Sequence, residues 1–403
     1  MKIKVVDAPM GVGKTTALMN MIKNSESGKR FIYVTPYLTE VDRVINELEH
    51  CHFDQPDAKK FGTKKRALEF MVRNNRNIVT THALFDQQLD KASFEEISKH
   101  HYTLVMDEVS TPIEQMQMYA RDMEFINEIT TTDSNNIMHL KPDCDYPLKG
   151  GRFSDEVCAI RSGNVFRLNG GTMICRAPIE MFGVFDDIYV ATYMFDCQIQ
   201  KYYFDMFGVD YEYLYVQRSE DGSSFLVKDP LKYDTATDLG SLITIHKGRH
   251  NNIGNEKFSL SKTWYEKNLY GEKLQKLMSN CRGFFRSVDS ASKDALWCEF
   301  ADFERTAYPH GYKSAFLACN ARATNKYSDR TSVAYLINMF CNVSLKSYFS
   351  IHNITIDDDR YALSEMLQFI WRSAIREGKP INLYVPSARM RGLLTNYIGG
   401  ESA

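Results

Sequence analysis

The sequence predicts an α/β protein of two tandem domains, each built on a parallel β-sheet flanked by helices. A short apolar strand at residues 3–6 is followed at once by a glycine-bearing loop and then by a helical segment, residues 15–23. Short apolar strands continue to alternate with amphipathic segments, an order that is typical of parallel sheets with right-handed crossovers. The alternation returns in the second half of the chain, and a length of 403 residues also favours two domains.

The first domain is predicted to span residues 1–208. Its predicted strands are short apolar runs at residues 3–6, 31–36, 77–80, 103–106 and 187–191. Between the last two strands, at about residues 130–180, the chain reads as an irregular insertion. Within it, residues 157–168 are predicted to form a β-hairpin that turns at Ser162-Gly163-Asn164.

The second domain is predicted to span residues 209–403. The alternation weakens from about Tyr211 onward and then returns in short apolar runs. These runs are the predicted strands of a second sheet, at residues 242–245, 314–318, 347–350 and 381–385.

Composition excludes several classes of protein. The 49 Lys and Arg residues nearly balance 51 Asp and Glu residues, so the net charge neither requires nor excludes a polyanionic partner. The nine cysteines are scattered without a C-x-x-C pair, so we expect neither a zinc site nor disulfides. The chain has no signal-like N-terminus and no run of about 18 apolar residues, so we expect a cytoplasmic protein that makes no membrane contact.

The loop after the first strand has the features of a phosphate-binding loop. Gly11 and Gly13 allow backbone N–H groups to approach a phosphate, and a helix N-terminus follows them. Lys14 can reach the outer phosphates, and the Thr15 hydroxyl can bind Mg²⁺. The predicted nucleotide-binding residues are Ala8, Pro9, Met10, Gly11, Val12, Gly13, Lys14, Thr15 and Thr16.

A pair of acids follows the buried strand at residues 103–106. Hydrolysis of a nucleotide requires one carboxylate behind the metal ion and another that orients the attacking water. Asp107 is predicted to take the first role, as a Mg²⁺ ligand together with Thr15, and Glu108 the second.

These motifs resemble those of superfamily 2 helicases. Residues 8–15 follow the pattern A-x-x-G-x-G-K-T of the family's first motif, and its second motif begins Asp-Glu, as Asp107-Glu108 does. The resemblance implies two RecA-like P-loop NTPase domains in tandem, which bind ATP and Mg²⁺ between them and nucleic acid across their tops. DEAD and DEAH tetrapeptides are missing and no adenine-reading Q-motif precedes Lys4, so the chain is not similar to DEAD-box members.

Further motifs of the family occur in the expected order. Thr35-Pro36 resembles motif Ia, and Thr80-Thr81-His82 resembles the element that touches backbone phosphates. Ala191-Thr192 resembles motif III, which couples the ATP site to nucleic acid. The segment 320–325 resembles motif V, in which Thr324 and Asn325 would contact nucleic acid.

The last motif lies near the C-terminus. Gln368, Arg372 and Arg376 resemble motif VI, Q-x-x-G-R-x-x-R, whose arginines stabilise charge on the transferring phosphoryl group. Arginines four residues apart are predicted to share one helix face. Trp371 stands where glycine is usual, and this departure leaves open which arginine acts. A tryptophan here, the compact length and a first motif at the N-terminus look similar to helicases encoded by bacteriophages.

The sequence therefore predicts an ATP-dependent helicase or translocase of a phage, acting in replication or recombination in the host cytoplasm. Single-stranded or forked DNA is favoured over RNA as its partner, and other replication proteins are further candidates. The basic stretch 59–66 is a candidate for phosphate contact. Two alternatives stay open: a nucleoside or nucleotide kinase of the thymidine-kinase type, and a DNA-binding or packaging ATPase without unwinding activity.

Overall fold

The computed structural model describes residues 2–88, 91–147, 150–231, 233, 235–304, 306–319 and 326–400. The strands are β1 (Lys2–Asp7), β2 (Arg30–Thr35), β3 (Phe53–Asp54), β4 (Asn77–Thr81), β5 (Tyr102–Asp107), β6 (Ile113–Gln115), β7 (Thr130–Thr132), β8 (Met138–Leu140), β9 (Val165–Arg167), β10 (Met173–Arg176), β11 (Asp187–Thr192), β12 (Tyr211–Arg218), β13 (Ser224–Val227), β14 (Ile243–Ile245), β15 (Ala295–Cys298), β16 (Ser332–Tyr335) and β17 (Ile381–Tyr384). The helices are α1 (Lys14–Lys23), α2 (Leu38–Glu47), α3 (Ala58–Phe61), α4 (Lys64–Arg73), α5 (His82–Gln88), α6 (Lys91–Lys99), α7 (Ala120–Ile129), α8 (Ser154–Arg161), α9 (Glu180–Gly183), α10 (Ile199–Met206), α11 (Thr235–Leu242), α12 (Lys262–Lys267), α13 (Glu272–Ser287), α14 (Val343–Ile351), α15 (Asp358–Ile370) and α16 (Ala388–Ile398).

The first domain is built on one large sheet with the strand order β13-β12-β1-β11-β5-β2-β4-β3. Its strands are parallel except for β13, which pairs antiparallel with β12. The central strand β5 is buried at every position, because helices cover both faces of a parallel sheet, and this explains its continuous apolar run. All five strands predicted for this domain are present.

The carboxyl ends of the parallel strands meet at one edge of this sheet. Strands β1, β2, β4, β5 and β11 end there at Asp7, Thr35, Thr81, Asp107 and Thr192. Ligands of open α/β sheets bind outside this edge. The predicted site residues of the first domain therefore lie at or just after this carboxyl edge of the sheet.

The predicted domain boundary at residues 208 and 209 is wrong. Strand β12 pairs in parallel with β1 over Ile3–Val6, so residues 211–227 complete the first sheet. The apolar signal is weak from Tyr211 onward because most residues of β12 are exposed or only partly buried. The first domain consequently extends to Val227 at least.

The predicted hairpin in the insertion is displaced. Residues 154–161 form helix α8 rather than a strand, because Val157 and Ile160 are buried on one helical face. Strand β9 follows the turn at 162–164, and its antiparallel partner is β10. The insertion therefore does contain a hairpin, but it lies at residues 165–176.

The second domain has a four-stranded parallel sheet with the order β14-β17-β16-β15. The strands predicted at 242–245 and 381–385 are β14 and β17. Residues 347–350 belong to helix α14 instead, because Leu345, Tyr348 and Phe349 are buried with helical spacing. At residues 314–318, only Phe316 bridges to Trp297. The two domains together confirm the predicted fold class of RecA-like α/β domains in tandem.

Helices of the second domain pack directly on the first. The buried side chains of α14 join the first domain's core, where Arg176 of the insertion donates a hydrogen bond of 3.1 Å to the Tyr348 hydroxyl. At the start of α15, Arg360 forms an ion pair of 2.6 Å with Asp196. These contacts fix one side of the cleft between the domains. Within the described ranges, no helix is long and apolar enough to cross a membrane.

Candidate nucleotide site

The loop between β1 and α1 has a backbone that only glycine adopts easily at two positions. Gly11 has a φ of 83° and Gly13 a φ of 98°. Space is limiting as well, because a Cβ atom at Gly11 would lie 2.8 Å from Cζ2 of Trp371 and one at Gly13 would overlap the Ser224 hydroxyl. The glycines therefore let both a second-domain side chain and strand β13 approach the loop.

Lys14 is held inside this loop. Its side chain is buried, and its Nζ donates hydrogen bonds to the carbonyl oxygens of Ala8 at 2.6 Å and Pro9 at 3.0 Å. Burial lowers the pKa of Lys14, and the carboxylates of Glu108 and Asp107 oppose this shift. A cation at this place attracts anionic phosphate oxygens more strongly than one on the surface would, because little water screens the charge.

Asp107 is the buried acid of the site. Its Oδ2 accepts hydrogen bonds from the Thr15 hydroxyl at 2.9 Å and from the Tyr33 hydroxyl at 3.0 Å. Burial and the neighbouring Glu108 raise the pKa of Asp107 to about 6, although both hydroxyls act in the opposite direction. A carboxylate beside a threonine hydroxyl is a pair of hard oxygen ligands, which fits Mg²⁺. The pair predicted from the sequence is thus in contact.

Tyr33 was not predicted as a site residue. It lies in β2 and is fully buried, and its only visible signal is a phenol within an otherwise apolar strand. Because a buried phenolic hydroxyl needs a partner, its hydrogen bond to Asp107 fixes the direction of that carboxylate.

Glu108 has an unusual backbone conformation. Its φ is 84°, in a region that costs a non-glycine residue about 1 to 3 kcal/mol. Its N–H donates a hydrogen bond of 2.8 Å to the carbonyl of Ala191, which holds the turn in place. Strained residues of this kind cluster at functional sites, and here the strain turns the chain at the end of β5 so that Glu108 borders the cleft.

A cavity of about 350 Å³ lies between the two domains above this loop. It is lined by Met10, Gly11, Gly13, Lys14, Thr15, Thr16, Thr35, Pro36, Glu40, Arg43, Asp107, Glu108, Arg218, Gly222, Ser224, Gln368, Trp371, Arg372 and Arg376. Of the other predicted loop residues, Ala8 and Pro9 supply the carbonyls that Lys14 contacts, and Val12 packs against the core. The motifs at the two ends of the chain therefore meet in one cavity.

The second domain forms the wall opposite the loop. Helix α15 ends at Ile370, and residues 374–377 form a 3₁₀ turn, so the prediction that Arg372 and Arg376 share one helix face is wrong. They nevertheless line the same cavity, Arg372 buried and Arg376 exposed. Gln368 Nε2 and Trp371 Nε1 are also buried, and neither has a hydrogen-bond partner among the described residues. Unpaired buried donors facing a cavity are suited to oxygen atoms of a ligand.

Two further groups of lining residues were missed by sequence reasoning. Arg218 and Ser224 come from β12 and β13, a hairpin that lies beside the phosphate loop only because β12 pairs with β1. Arg43 comes from α2, where it forms ion pairs with Glu40 at 2.8 Å and Glu47 at 3.1 Å. Neither the hairpin β12–β13 nor helix α2 carries a local sequence signal of its contact with the cavity.

The residues predicted to bind nucleic acid lie at the same sheet edge. Thr35 and Pro36 line the nucleotide cavity itself. Thr80 and Thr81 end the neighbouring strand β4, where Thr81 pairs with Thr35, and His82 begins α5. Their contact with nucleic acid stays a prediction. Thr324 and Asn325 lie outside the described residues.

The predicted coupling residues join the phosphate loop to the acidic pair. The carbonyl of Thr192 accepts a hydrogen bond of 3.2 Å from the N–H of Ala8, and the carbonyl of Ala191 accepts the one from Glu108. The next residue, Tyr193, shares a hydroxyl contact of 2.5 Å with Tyr397 of α16 in the second domain. This arrangement suits the predicted coupling role, which stays a prediction.

The sequence is also similar to that of a known protein over almost its full length. The SPbeta prophage-derived uncharacterized protein YonV of Bacillus subtilis (strain 168) is 35% identical over 412 residues, which cover 99% of each chain. The chain belongs to the YonV family. Residues 237–398 also match the model of the YonV C-terminal Rossmann-like domain, which agrees with a second domain that begins after Val227.

Solved structures similar to this YonV-family chain include the following three. "XPD_Helicase" has a TM-score of 0.45 at 10% identity and covers 98% of this chain and 94% of its own. "Structure of S. tokodaii Xpd4" has a TM-score of 0.49 at 12% identity, covering 100% and 94%. "Crystal Structure of DUF1998 helicase MrfA bound to DNA and AMPPNP" has a TM-score of 0.35 at 10% identity, covering 99% and 48%.

The raised pKa of Asp107 makes a testable statement about stability in this YonV-family protein. A carboxyl whose pKa is about 6 when folded and 3.8 when unfolded destabilises the fold above pH 6, and the effect fades as the pH falls toward 4. Asp107→Asn is therefore expected to stabilise the first domain by up to about 3 kcal/mol at pH 8 and by less at pH 5. Thermal unfolding midpoints in EDTA at both pH values measure this.

The exposed Asp229 supplies the matched control for that experiment. Asp229→Asn removes the same charge from the surface and is expected to leave the midpoint unchanged at both pH values. A lower midpoint for Asp107→Asn than for the unmodified protein at pH 8 would contradict the interpretation of a destabilising buried carboxylate.

Proposed function

We propose that this YonV-family protein is an ATP-driven motor that moves along nucleic acid or unwinds it. The observation that carries the proposal is the cavity between the domains, in which Lys14, Asp107 and Glu108 of the first domain face Gln368 and Arg372 of the second. A nucleotide bound there touches both domains at once. Its hydrolysis changes the charge between them and so their relative position.

Each side chain has a role that its position supports. Lys14 and the loop N–H groups hold the β- and γ-phosphates. Thr15 and Asp107 would hold Mg²⁺, which supplies neutralisation of phosphate charge. Glu108 orients and polarises the attacking water. These roles require both an anion-binding loop and an acidic pair at one sheet edge.

The second domain adds two arginines to the positive charge that Lys14, Arg43 and Arg218 of the first domain bring to this cavity. Arg372 stabilises the negative charge that develops on the transferred phosphoryl group, and Arg376 lies at the exposed rim. Gln368 and Trp371 add N–H donors. A catalytic group on the opposite domain makes hydrolysis depend on how the domains are placed, as a motor requires, whereas a nucleoside kinase needs no such second domain.

Nucleic acid is proposed as the track because the motif order resembles superfamily 2 helicases, and because Thr80, Thr81 and His82 continue the same sheet edge beyond the cavity. Single-stranded or forked DNA is the favoured substrate. The prophage origin of the relative from Bacillus subtilis favours a role in phage replication or recombination in the host cytoplasm.

The decisive test is an ATPase assay with single-stranded DNA, duplex DNA or RNA, followed by strand displacement on forked substrates. We expect ATP hydrolysis that at least one polynucleotide stimulates. A Lys14→Ala preparation purified in parallel controls for contaminating ATPases, since it lacks the phosphate-binding ammonium. Hydrolysis that no polynucleotide stimulates would rule out the motor, and undiminished hydrolysis by Lys14→Ala would rule out the site.

A further inference from the structure

A second large concavity lies in the second domain, apart from the nucleotide cavity. It has a volume of about 840 Å³ and is bordered by the 3₁₀ segment Arg249–Gly254, by α12 and by α13. Five cations line it: Arg249, Lys273, Lys276, Arg282 and Arg286. Glu256 is the single carboxylate among its lining residues. In a chain whose charges otherwise nearly cancel, this is a local excess of positive charge. We call it the basic groove.

The cations of the basic groove are unpaired among the residues that the structure describes. Within the part of the chain that the structure describes, none of the five forms an ion pair or a side-chain hydrogen bond. Elsewhere in the second domain, Lys346 and Arg389 are paired with Asp358 and Asp359 at 2.9 and 2.6 Å. Unpaired cations around a concavity attract a polyanion, because the release of its counterions favours binding.

The groove is held in a fixed shape. Asn280 of α13 donates a hydrogen bond of 3.2 Å to the carbonyl of His250, and the Tyr384 hydroxyl donates one of 2.7 Å to the same oxygen. Gly283 lets His250 pack on the helix, since a Cβ atom there would lie 3.0 Å from its ring. Binding therefore requires little ordering of the backbone, which favours affinity.

Helix α13 brings four of the five cations to the groove. Lys273, Lys276, Arg282 and Arg286 all line it, and they span about 20 Å of helix at 1.5 Å per residue. Charges spread over this length match a chain of phosphates better than a single anion. Trp264 of α12 also lines the groove and is partly exposed, and an aromatic side chain beside such cations can serve as a stacking platform for a base.

We propose that the basic groove binds the backbone of a single-stranded polynucleotide, with Trp264 stacking on one of its bases. This inference rests on the proposed function in that it names where the track contacts the second domain. The groove favours a single strand over a duplex because its aromatic residue can reach only unpaired bases. The test compares a DNA strand with an RNA strand, so it also shows which backbone sugar is preferred.

The test uses the double variant Lys273→Glu/Lys276→Glu of the full chain. Both side chains are exposed, so the helix is expected to fold. Fluorescence anisotropy with labelled oligo(dT), oligo(U) and a blunt duplex measures affinity without nucleotide. We expect at least about a tenfold loss of affinity for the single strand, and a slope of log affinity against log salt that is shallower by about 1.4, since two phosphate contacts are removed.

Lys23→Glu/Lys29→Glu is the matched control. These lysines are exposed at and beyond the C-terminal end of α1, and the variant changes the net charge equally. It is expected to bind like the unmodified protein. Basal ATP hydrolysis should be unchanged in both variants, because neither pair touches the nucleotide cavity.

The outcomes separate the two proposals. If polynucleotides stimulate the ATPase but the groove variant binds them as well as the control does, the basic groove is not their site and the motor stands. Tighter binding of the duplex, or equal competition by poly-glutamate, overturns the single-strand assignment. If oligonucleotides bind through the groove without stimulating hydrolysis, the groove stands and the motor falls. If no polynucleotide binds, both fall.

Discussion

Glu108→Gln is expected to slow ATP hydrolysis by about 10²- to 10⁴-fold, the range found when a general base is removed. The glutamine is isosteric and keeps the backbone turn at a φ of 84°, with its N–H bonded to Ala191. It cannot take a proton from water. Nucleotide affinity should therefore stay within about twofold, because Lys14 and Thr15 hold the phosphates. Single-turnover hydrolysis and equilibrium binding of a fluorescent nucleotide measure the two effects separately.

Lys14→Ala provides the contrast in the same assays. This variant should lose both nucleotide binding and hydrolysis, since the ammonium that contacts Ala8 and Pro9 borders the phosphate site. If Glu108→Gln hydrolyses ATP at the unmodified rate, the water is oriented by another group. If it instead fails to bind nucleotide, Glu108 has a structural role at the loop.

The candidate site of the first domain could be predicted because each of its motifs lies within a short stretch of sequence. Each predicted site residue there follows a short apolar strand, and parallel strands bring their carboxyl ends to one edge wherever they lie in the sequence. Asp107 and Thr15 are 92 residues apart, yet their contact required only that β5 and β1 belong to one parallel sheet. Strand ends were therefore sufficient to place them.

Residues that depend on long-range pairing could not be predicted in this way. In the sequence, Tyr33 is indistinguishable from the other buried residues of its strand. Only the structure shows that its hydroxyl donates a hydrogen bond to Asp107. Arg218 and Ser224 reach the loop because β12 pairs with β1 and β13 pairs with β12, and a strand of mixed polar and apolar residues gives no sign of its partner. For the same reason the domain boundary was placed too early.

Charge clusters show the same limit. The contiguous basic stretch 59–66 is conspicuous in the sequence, and it forms the end of one short helix and the capped start of the next. The five cations of the basic groove are spread over residues 249–286 among ordinary helix positions. Only the packing of the 3₁₀ segment against α13 assembles them, so their common location is a property of the fold.

Arg372→Ala is expected to reduce the rate of ATP hydrolysis by about 10³-fold, the lower range for loss of an arginine that stabilises a phosphoryl transition state. Arg372 is 8% exposed, so its charge acts in a poorly screened cavity. Arg376 lines the same cavity but is exposed, and Arg376→Ala should cost much less. This ordering resolves which of the two arginines acts at the reacting phosphate.

Steady-state and single-turnover rates of both variants, with nucleotide affinity, measure the difference. Arg372 is buried, so unfolding is tested by thermal denaturation, and Arg372→Lys keeps a cation in case the alanine variant does not fold. The lysine should restore folding but little of the rate, because an ammonium cannot reproduce the planar guanidinium fork. A folded Arg372→Ala protein with normal hydrolysis, or a larger loss in Arg376→Ala, would reverse the assignment.

Loss of hydrolysis with intact nucleotide binding would mean that the second domain supplies charge to the reaction itself. ATP would then be hydrolysed only when the two domains are correctly placed around it.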